Sequence, residues 1–296
     1  METPTLPTPE IVQEISSLLK RHGWPLSYSY RDANRMNLQH YLWRETLQFN
    51  IHNSILPHLI SGGPHTPHKA PPLNIADIAC GTGSWLIDTA REWPRSQLDG
   101  FDVSLDIAPN SQRLPSNITL RKWDFFTDPV PSELEGKYDL IHLRWLTLRL
   151  SGKDHETILQ KFHCLLKPGG YIQWEEWDYA GATLEKISPT LDTPTLAELK
   201  KMWDSDIAVS DLPRLLWEVG FRDLVVERIE ERNELVHAFQ ELHLMNVEEA
   251  AGGVMRLKET HMGASLFPVI ITAHQEFNQG TSWRIPMIVV VMRKDG

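Results

Sequence analysis

The hydrophobic pattern from about residue 73 onwards alternates between short apolar runs and longer segments with apolar residues every three or four positions. Short apolar runs are typical of strands buried on both faces of a sheet, and the longer segments are typical of amphipathic helices. The runs predict strands at 73–78, 98–103, 118–123, 138–143, 171–177, 224–229 and 285–292. The intervening segments predict helices at about 84–93, 154–166 and 195–219. This alternation favours an α/β fold with a mostly parallel sheet.

Two further regions have a helical pattern. Residues 1–60 predict an N-terminal helical cap, whose second helix is expected at about 35–52. Residues 61–72 are rich in proline, glycine and histidine, which indicates a linker to a core at 73–296. Between the last two predicted strands, an insert at about 233–280 is helical as well. Cap and insert together favour an enclosed pocket for a small molecule over a groove for a protein substrate.

A glycine turn follows the first predicted strand, because Gly81 and Gly83 come directly before a helical pattern that opens at Ser84. An α/β sheet presents its ligand crevice at such a turn between a strand and the following helix. Glycine lets a ligand approach the backbone there without meeting a Cβ. A dinucleotide fingerprint needs a third glycine where Leu86 stands, so that site is disfavoured. No Gly-Lys-Ser/Thr follows, which excludes a P-loop. What remains is an acid in the strand, Asp77, followed by Gly-x-Gly.

Two more acids end the next two predicted strands. Asp102 lies about 20 residues past the glycine turn, where a carboxylate accepts both hydroxyls of a ribose. A helix N-cap or a solvated carboxylate is the alternative for Asp102. Asp124 is placed to accept the amino group of an adenine, with Trp123 or Phe125 against the ring. The alternative for Asp124 is an Asx turn.

Together these features resemble the class I S-adenosylmethionine (SAM) methyltransferases. The resemblance rests on Asp77-x-x-x-Gly81-x-Gly83, Asp102, Asp124 and the turn Leu166-Lys167-Pro168-Gly169-Gly170, to which we assign no chemistry. It implies a Rossmann-like, seven-stranded, mostly parallel sheet with helices on both faces and an antiparallel last strand. A closer resemblance, through segments 37–44, 138–144 and 170–176, is to fungal secondary-metabolite methyltransferases of the epidithiodiketopiperazine-pathway type.

The resemblance implies SAM as cofactor and S-adenosylhomocysteine (SAH) as product. Asp77 is expected to accept a hydrogen bond from the cofactor's amino group, and Arg144 is expected to hold an anionic group. Cys80 is a departure, because many members have Gly or Thr there, but it does not exclude the cofactor. The expected cofactor contacts are Asp77, Ala79, Cys80, Gly81, Gly83, Asp102, Val103, Trp123, Asp124, Phe125, Leu143, Arg144 and Tyr30.

The implied reaction is methyl transfer by in-line displacement to an oxygen or a nitrogen. Catalysis then rests mainly on positioning the acceptor, and a base is needed only where the acceptor must lose a proton. Candidate bases at strand ends are His142, Glu175 and Glu176, although a histidine inside an apolar strand is more often a core residue. Because side chains alternate along a strand, at most one of the two glutamates faces a given pocket.

Aromatic residues near the same strand ends predict a substrate pocket. The chain has 11 tryptophans, and some of them suit a flat or greasy substrate. Ordinary packing of cap and core is the alternative for each. The expected pocket residues are His40, Trp43, Trp145, Trp177 and Tyr179.

The composition excludes several classes of binding partner. The net charge of −10 and the lack of a dense basic block exclude a nucleic-acid partner, since binding of nucleic acid rests on neutralising phosphates. No apolar run is long enough to span a membrane. The two cysteines indicate reduced thiols and a cytoplasmic protein. The pair His65 and His68 has loose metal-like spacing but lies in the linker, so no metal is expected.

Three functions stay open at this stage. The first is an enzyme that methylates a small natural product. The second is a regulatory relative that acts through protein partners, and the third is a SAM-binding enzyme that catalyses a rearrangement without methyl transfer. No feature of the sequence indicates an oligomeric state.

Overall fold

The computed structural model describes residues 9–22, 27–59, 71–150, 154–203 and 208–296. Most of the linker predicted at 61–72, with His65 and His68, lies outside the described residues. The helices are α1 (Pro9–His22), α2 (Tyr30–Leu47), α3 (Leu56–Leu59), α4 (Ser84–Glu92), α5 (Thr147–Leu150), α6 (His155–Leu165), α7 (Pro194–Leu199), α8 (Leu212–Glu218), α9 (Val236–Arg256) and α10 (Thr260–Asn278). The strands are β1 (Asn74–Ile78), β2 (Gln97–Asp102), β3 (Ile118–Lys122), β4 (Tyr138–Arg144), β5 (Leu166–Trp177), β6 (Thr183–Lys186), β7 (Phe221–Ile229), β8 (Thr281–Arg284) and β9 (Met287–Lys294).

Seven of these strands form one sheet in the order β3-β2-β1-β4-β5-β9-β7. Strands β1 to β5 of this sheet pair in parallel, and β9 runs antiparallel to both of its neighbours, β5 and β7. The order reverses at β1, which lies between β2 and β4. A parallel sheet opens a ligand crevice at the carboxyl ends of the strands at such a point. The predicted fold class is therefore confirmed, including the antiparallel last strand.

The sheet separates two hydrophobic layers. Side chains alternate between the faces, so that Ile75 and Leu140 pack into one layer while Ile78 and Leu143 pack into the other. The first layer holds the buried faces of α2, α4, α9 and α10, and the second holds those of α6 and α8. Cap and insert thus cover the same face of the sheet.

The cap helix α2 begins at Tyr30, five residues before its predicted start. The Ser29 hydroxyl accepts from the backbone N–H of Asp32, and the Asp32 carboxylate accepts from the backbone N–H of Ser29. This capping box satisfies two backbone donors that the first turn of a helix otherwise leaves unpaired. It fixes where the cap turns towards the sheet.

Other elements differ from the expected pattern. The Lys167–Gly170 stretch, predicted as a sharp turn, lies inside β5, and an irregular register between β4 and β5 accommodates it. Strands β6 and β8 form a separate antiparallel pair that the pattern did not predict. The helix predicted at 195–219 is split into α7 and α8, with 3₁₀ turns at 200–203 and 209–211. Among the described helices, none is long and apolar enough to cross a membrane.

Candidate functional site

A cavity of about 270 Å³ opens where β1, β2, β4 and β5 end. The cap helix α2 and the insert helix α9 contribute to its wall as well. The sheet supplies Asp77, Asp102, His142, Arg144 and Glu176, α2 supplies Arg35, Met36, Gln39 and His40, and α9 supplies Asn246. The elements that the pattern predicted as separate regions therefore meet around one site.

The glycine turn and Asp102 form one hydrogen-bonded unit at this site. Gly81 has φ +53°, a left-handed conformation that favours glycine, and its backbone N–H donates to Asp102 Oδ2 at 2.8 Å. The backbone N–H of Ser104 donates to the other oxygen, Oδ1, at 3.1 Å. Burial raises the pKa of Asp102, and these N–H groups oppose that shift. Each carboxylate oxygen keeps further lone-pair capacity for a ligand.

The next part of the wall is aromatic and acidic. Trp123, Asp124 and Phe125 line the cavity together, and the Trp123 indole N–H donates to the carbonyl of Pro129 at 3.0 Å. Asp124 Oδ1 accepts from the backbone N–H of Phe126 at 3.0 Å, which is the Asx turn that was the alternative for this residue. The turn and a ligand contact are compatible, because Oδ1 carries the turn and the carboxylate has a second oxygen.

Tyr28 lies just before α2 and lines the same end of the cavity. Burial raises the pKa of its phenol, while Arg149 lowers it and Asp102 raises it. Tyr30, which we predicted as a cofactor contact, is 74% exposed and does not line the cavity. It lies in the first turn of α2 and faces solvent, whereas Tyr28 lines the cavity.

Beneath the cavity, two acids flank one histidine. His142 Nδ1 lies 2.7 Å from Asp77 Oδ1, and His142 Nε2 lies 3.5 Å from Glu175 Oε1. Burial alone lowers the pKa of His142, but Asp77 and Glu175 outweigh it and the net pKa is raised. The Trp85 indole stacks on the imidazole at 3.8 Å. A protonated imidazole satisfies both acids but has no lone pair, so this geometry disfavours His142 as a base.

Glu175 is unsuited to be a base for a different reason. Arg144 Nε and Nη2 each lie 2.6 Å from Glu175 Oε2, and all three residues of the Arg144, Glu175 and His142 cluster are buried. Burial alone raises the pKa of Glu175, but Arg144 and His142 lower it to about 2. Its side chain does not line the cavity. Glu175 thus compensates Arg144 and does not face a ligand.

Glu176 has the opposite environment one position along the strand. It lines the cavity, and Oε1 accepts from the backbone N–H groups of Leu146 and Thr147 and from the Trp174 indole. Oε2 accepts from the Thr147 hydroxyl at 3.1 Å. Burial raises its pKa to about 7, although these donors oppose the shift. Among the three predicted bases, Glu176 alone combines a place in the cavity wall with a pKa in the range that suits a general base.

The predicted aromatic pocket is present in part. Trp145, Trp177 and Tyr179 line the cavity, as does His40, whose Nε2 lies 2.9 Å from Asp88 Oδ2. Burial lowers the pKa of His40. Trp43 does not line the cavity. It is fully buried and packs edge-on against Trp145 and Trp177, at ring distances of 5.2 and 4.5 Å, and so supports the wall from behind.

Two further predicted cofactor contacts lie outside the wall. Leu143 is fully buried in the layer opposite the cap, because its neighbours on β4, His142 and Arg144, take the face towards the cavity. Gly83 caps α4 with φ +69° and also does not line the cavity. Ala79, Cys80, Gly81 and Val103 do line it. Cys80 is buried, and burial raises the pKa of its thiol well above its usual range.

Several residues of the wall were not predicted. Arg35 is buried on α2, donates from Nη1 to Gln39 Oε1 at 2.6 Å, and pairs with Glu249 of α9 at 3.1 Å. Asn246 of α9 lies in the wall as well. A charged residue on the inner face of a cap helix is a detectable signal, but its partner is more than 200 residues away in the chain. No local pattern joins the two.

The acidic part of the cavity wall fits SAM. A buried carboxylate that holds the glycine turn and keeps acceptor capacity matches a ribose diol, and Asp77 and Asp124 add acceptors for amino groups. Several acids in one wall suit a ligand with a sulfonium charge. Within the part of the chain that the structure describes, no group of three or more His, Cys, Asp and Glu is arranged to hold a metal ion.

Comparison with known proteins agrees with this geometry. Residues 76–172 match the methyltransferase domain family. The chain is 37% identical over 147 residues to the methyltransferase grgD of a Penicillium species, covering 45% of this chain and 50% of that protein. It is 30% identical over 158 residues to the N-methyltransferase verN of Clonostachys rogersoniana, covering 53% and 54%. It is also 29% identical over 106 residues to the secondary metabolism regulator laeA of Coprinopsis cinerea, covering 35% and 24%.

The matches spread over about half of the length of the first two relatives and about a quarter of the third. The family match itself runs from β1 to β5, so it contains the glycine turn and the acids at the ends of β1 and β2. Motifs, sheet topology and family match therefore agree. Residues 76–172 are thus similar to the methyltransferase domain family, and about half of the chain is similar to the fungal methyltransferases grgD and verN.

Proposed function

We propose that this protein transfers the methyl group of SAM to an oxygen or a nitrogen of a small-molecule natural product in fungal secondary metabolism. The observation that carries the proposal is the unit of Gly81 and Asp102 in the wall of a cavity that α2 and α9 enclose. Similarity to an N-methyltransferase favours nitrogen as the acceptor atom. A small-molecule partner and a cytoplasmic location stay predictions.

When bound, SAM supplies an electrophilic methyl group that needs no further activation. The protein then has to orient the cofactor and the acceptor and to exclude water. Together these effects can supply much of the reduction in the activation free energy. Asp102 would hold the diol and Asp77 would accept from the amino group, while His142 Nδ1, which lies 2.7 Å from Asp77 Oδ1, fixes the Asp77 carboxylate. Met36 of α2 lies against the glycine turn from the cap side, and Tyr28 lines the same cavity.

Glu176 is the residue placed to move a proton. Its Oε1 accepts from three donors, whereas the described residues give Oε2 one donor, the Thr147 hydroxyl. Oε2 therefore has the capacity to take a proton from an acceptor oxygen or nitrogen. With a pKa of about 7, Glu176 is deprotonated in a substantial fraction of molecules at neutral pH.

A second candidate function is regulation of secondary metabolism through protein partners, which the match to laeA favours. In this case the protein would bind the cofactor and form a stable complex without passing the methyl group to a small molecule. A non-methylating rearrangement is the third possibility. Product analysis separates all three.

The test is incubation of the purified protein with methyl-labelled SAM and an organic extract of fungal metabolites, followed by chromatography of the labelled products. Asp102→Ala is expected to weaken SAH binding by about 1–3 kcal/mol, since buried ligand hydroxyls lose their acceptor. Asp106→Ala is the matched control, because Asp106 lies on the loop that follows Asp102 but is exposed and outside the cavity wall.

Label in an organic-soluble small molecule, lost in Asp102→Ala and kept in Asp106→Ala, would support the proposal. SAH binding without any labelled product would favour the regulatory function. A small-molecule product without label would favour a rearrangement. Equal SAH affinity of wild type and Asp102→Ala would remove Asp102 from the ribose site.

A further inference from the structure

His40 connects the cap helix to the sheet and to α4 through the two nitrogens of its ring. Its Nε2 lies 2.9 Å from Asp88 Oδ2 of α4, and its Nδ1 lies 3.2 Å from Arg144 Nη1 of β4. The His40 side chain is buried and lines the same cavity as Met36, which lies against the Gly81 turn. The ring therefore joins the cap to the walls of the SAM site.

The chemistry of the two partners fixes the protonation state of this ring. A guanidinium has N–H donors and no acceptor, so Arg144 can only donate, and His40 Nδ1 must keep its lone pair. An ionised carboxylate can only accept, so the proton of His40 lies on Nε2, towards Asp88. The two contacts together therefore require a neutral imidazole. Protonation of Nδ1 would replace its hydrogen bond with Arg144 by a contact between two cations.

The charges around His40 act on its titration in opposite directions. Burial lowers the pKa of His40, while the Asp88 carboxylate and, more weakly, Glu175 raise it. The Arg144 guanidinium lowers it, so that the net pKa lies below the ordinary value of 6.5. The packed cap thus favours the neutral ring that the two hydrogen bonds require. Among the described residues, the charged groups packed around this ring are Asp88 and Arg91 of α4, Arg144 of β4, Glu175 of β5 and Arg44 of α2.

Two ion pairs also hold α2 in place, but neither contains an imidazole. Arg35 pairs with Glu249 of α9 at 3.1 Å, and Arg44 pairs with Glu92 of α4 at 2.8 Å. Histidine is the side chain whose ordinary pKa makes it change charge between pH 5 and 8. Of these three contacts, the one through His40 is therefore the one suited to respond to pH.

We propose that His40 is a positioning residue that holds the cap closed over the SAM site when its ring is neutral and releases the cap when the ring is protonated. On release, α2 leaves Arg144 and Asp88, while Arg144 stays paired with Glu175. The stabilisation of the closed cap is complete above the ordinary histidine pKa of 6.5 and is lost as the pH falls below it. The inference rests on the SAM site of the proposed function and is independent of the acceptor.

The test is a calorimetric titration with SAH at about pH 7.5 and about pH 5.5, for the wild type and for His40→Gln. The glutamine amide is neutral at both pH values and has a donor and an acceptor in place of the two ring nitrogens. Between the two pH values, we expect the dissociation constant of the wild type to rise about fivefold more than that of His40→Gln, the value of one hydrogen bond. The other titratable groups of the wall are present in both proteins, so this comparison isolates His40.

His274→Gln is the matched control, since the His274 side chain is 46% exposed on α10 and pairs with Glu241 at the surface. This variant is expected to keep the pH dependence of the wild type. Hydrogen exchange of the free protein, corrected for the intrinsic exchange rate at each pH, reports on the cap itself. The amides of α2 are expected to lose protection at the lower pH in the wild type and to keep it in His40→Gln.

The tautomer of His40 can be measured in the wild type, so this test does not depend on the folding of a variant. Nitrogen-15 NMR of the imidazole rings at about pH 7.5 is expected to show His40 with a proton on Nε2 and none on Nδ1. A proton on Nδ1, or parallel pH profiles of SAH affinity in wild type and His40→Gln, would overturn the inference and leave the proposed function standing. Failure of the wild type to bind SAH at both pH values would overturn both.

Discussion

The two ends of the cavity are built in different ways. At the cofactor end, Gly81 lies in the turn after β1 and Asp102 ends the adjacent parallel strand β2, and the backbone N–H of Gly81 donates to Asp102 at 2.8 Å. At the acceptor end, Arg35 of the cap pairs with Glu249 of the insert, 214 positions further along the chain. The first end is set by strand pairing and a tight turn. The second depends on how two helices outside the sheet pack against each other.

This difference separates what the fold requires from what a particular substrate requires. Strand ends in a doubly wound sheet present backbone groups and acids in a fixed geometry. The cap and insert carry side chains that are free to differ without disturbing the sheet. Changes at the cofactor end should therefore affect cofactor binding. Changes at the acceptor end should affect the stability of the cap, the protonation of Glu176 and the choice of acceptor.

The largest effect is expected from the turn itself. Gly81→Val introduces a β-branched side chain at φ +53°, and its Cβ would lie 3.4 Å from Met36 Sδ of the cap helix. We expect SAH binding to fall below detection by calorimetry while circular dichroism stays that of the wild type. Gly136→Val is the matched control, because Gly136 has φ +58°, has nothing within 4 Å of an added Cβ and lies outside the cavity wall. Retained SAH affinity in Gly81→Val would show that the turn does not approach the ligand.

The next effect concerns the charge cluster that joins the two ends. Arg144→Met removes the guanidinium that pairs with Glu175 in a buried site, and we expect the free energy of unfolding to fall by about 3–5 kcal/mol. Arg214→Met breaks an exposed pair with Glu218 and should change stability by less than about 1 kcal/mol. Urea denaturation of both variants measures the difference. Similar values for the two would mean that the Arg144 pair is not effectively buried.

The smallest effect is a pH dependence at the acceptor end. Glu176 has a pKa of about 7 in the folded protein against an ordinary value of 4.5, so the folded state binds this proton more tightly. Its contribution to stability is then complete below about pH 4.5 and is lost as the pH rises through 7. We expect wild type to lose stability relative to Glu176→Gln, on the order of 3 kcal/mol between pH 4 and 8.

Denaturation at both pH values measures this difference, with Glu218→Gln as the control, because Glu218 is exposed and accepts from Arg214 on the surface. A wild-type stability that runs parallel to that of Glu176→Gln across the range would contradict the raised pKa. Glu176 would then be an ordinary cap for the helix that begins at Thr147.

Much of the cofactor end was predictable from sequence. Periodicity placed β1, β2, β3 and β4 within one or two residues, and the reversal of strand order at β1 follows from the general topology of such sheets. The positions of Asp102 and Asp124 at strand ends then follow. Local hydrogen bonds set these features, so short segments of sequence contain the information.

The acceptor end was less predictable because its features depend on tertiary packing. The two adjacent glutamates illustrate this. Alternation showed that they face opposite ways, but only the packed structure shows that Glu175 is paired with Arg144 while Glu176 lies in the cavity wall. Tyr30 was misplaced although the Ser29–Asp32 capping box that starts α2 is visible in the sequence. Trp43 was expected in the pocket and lies behind it, a distinction that periodicity does not make.

The most direct test of the account is a calorimetric titration of the purified protein with SAH, with NAD as the parallel control. The account predicts saturable binding of SAH, of the micromolar order that corresponds to about −8 kcal/mol, and no binding of NAD. Binding of NAD in place of SAH, or of neither, would contradict the claim that the Gly81 turn and Asp102 form a SAM site.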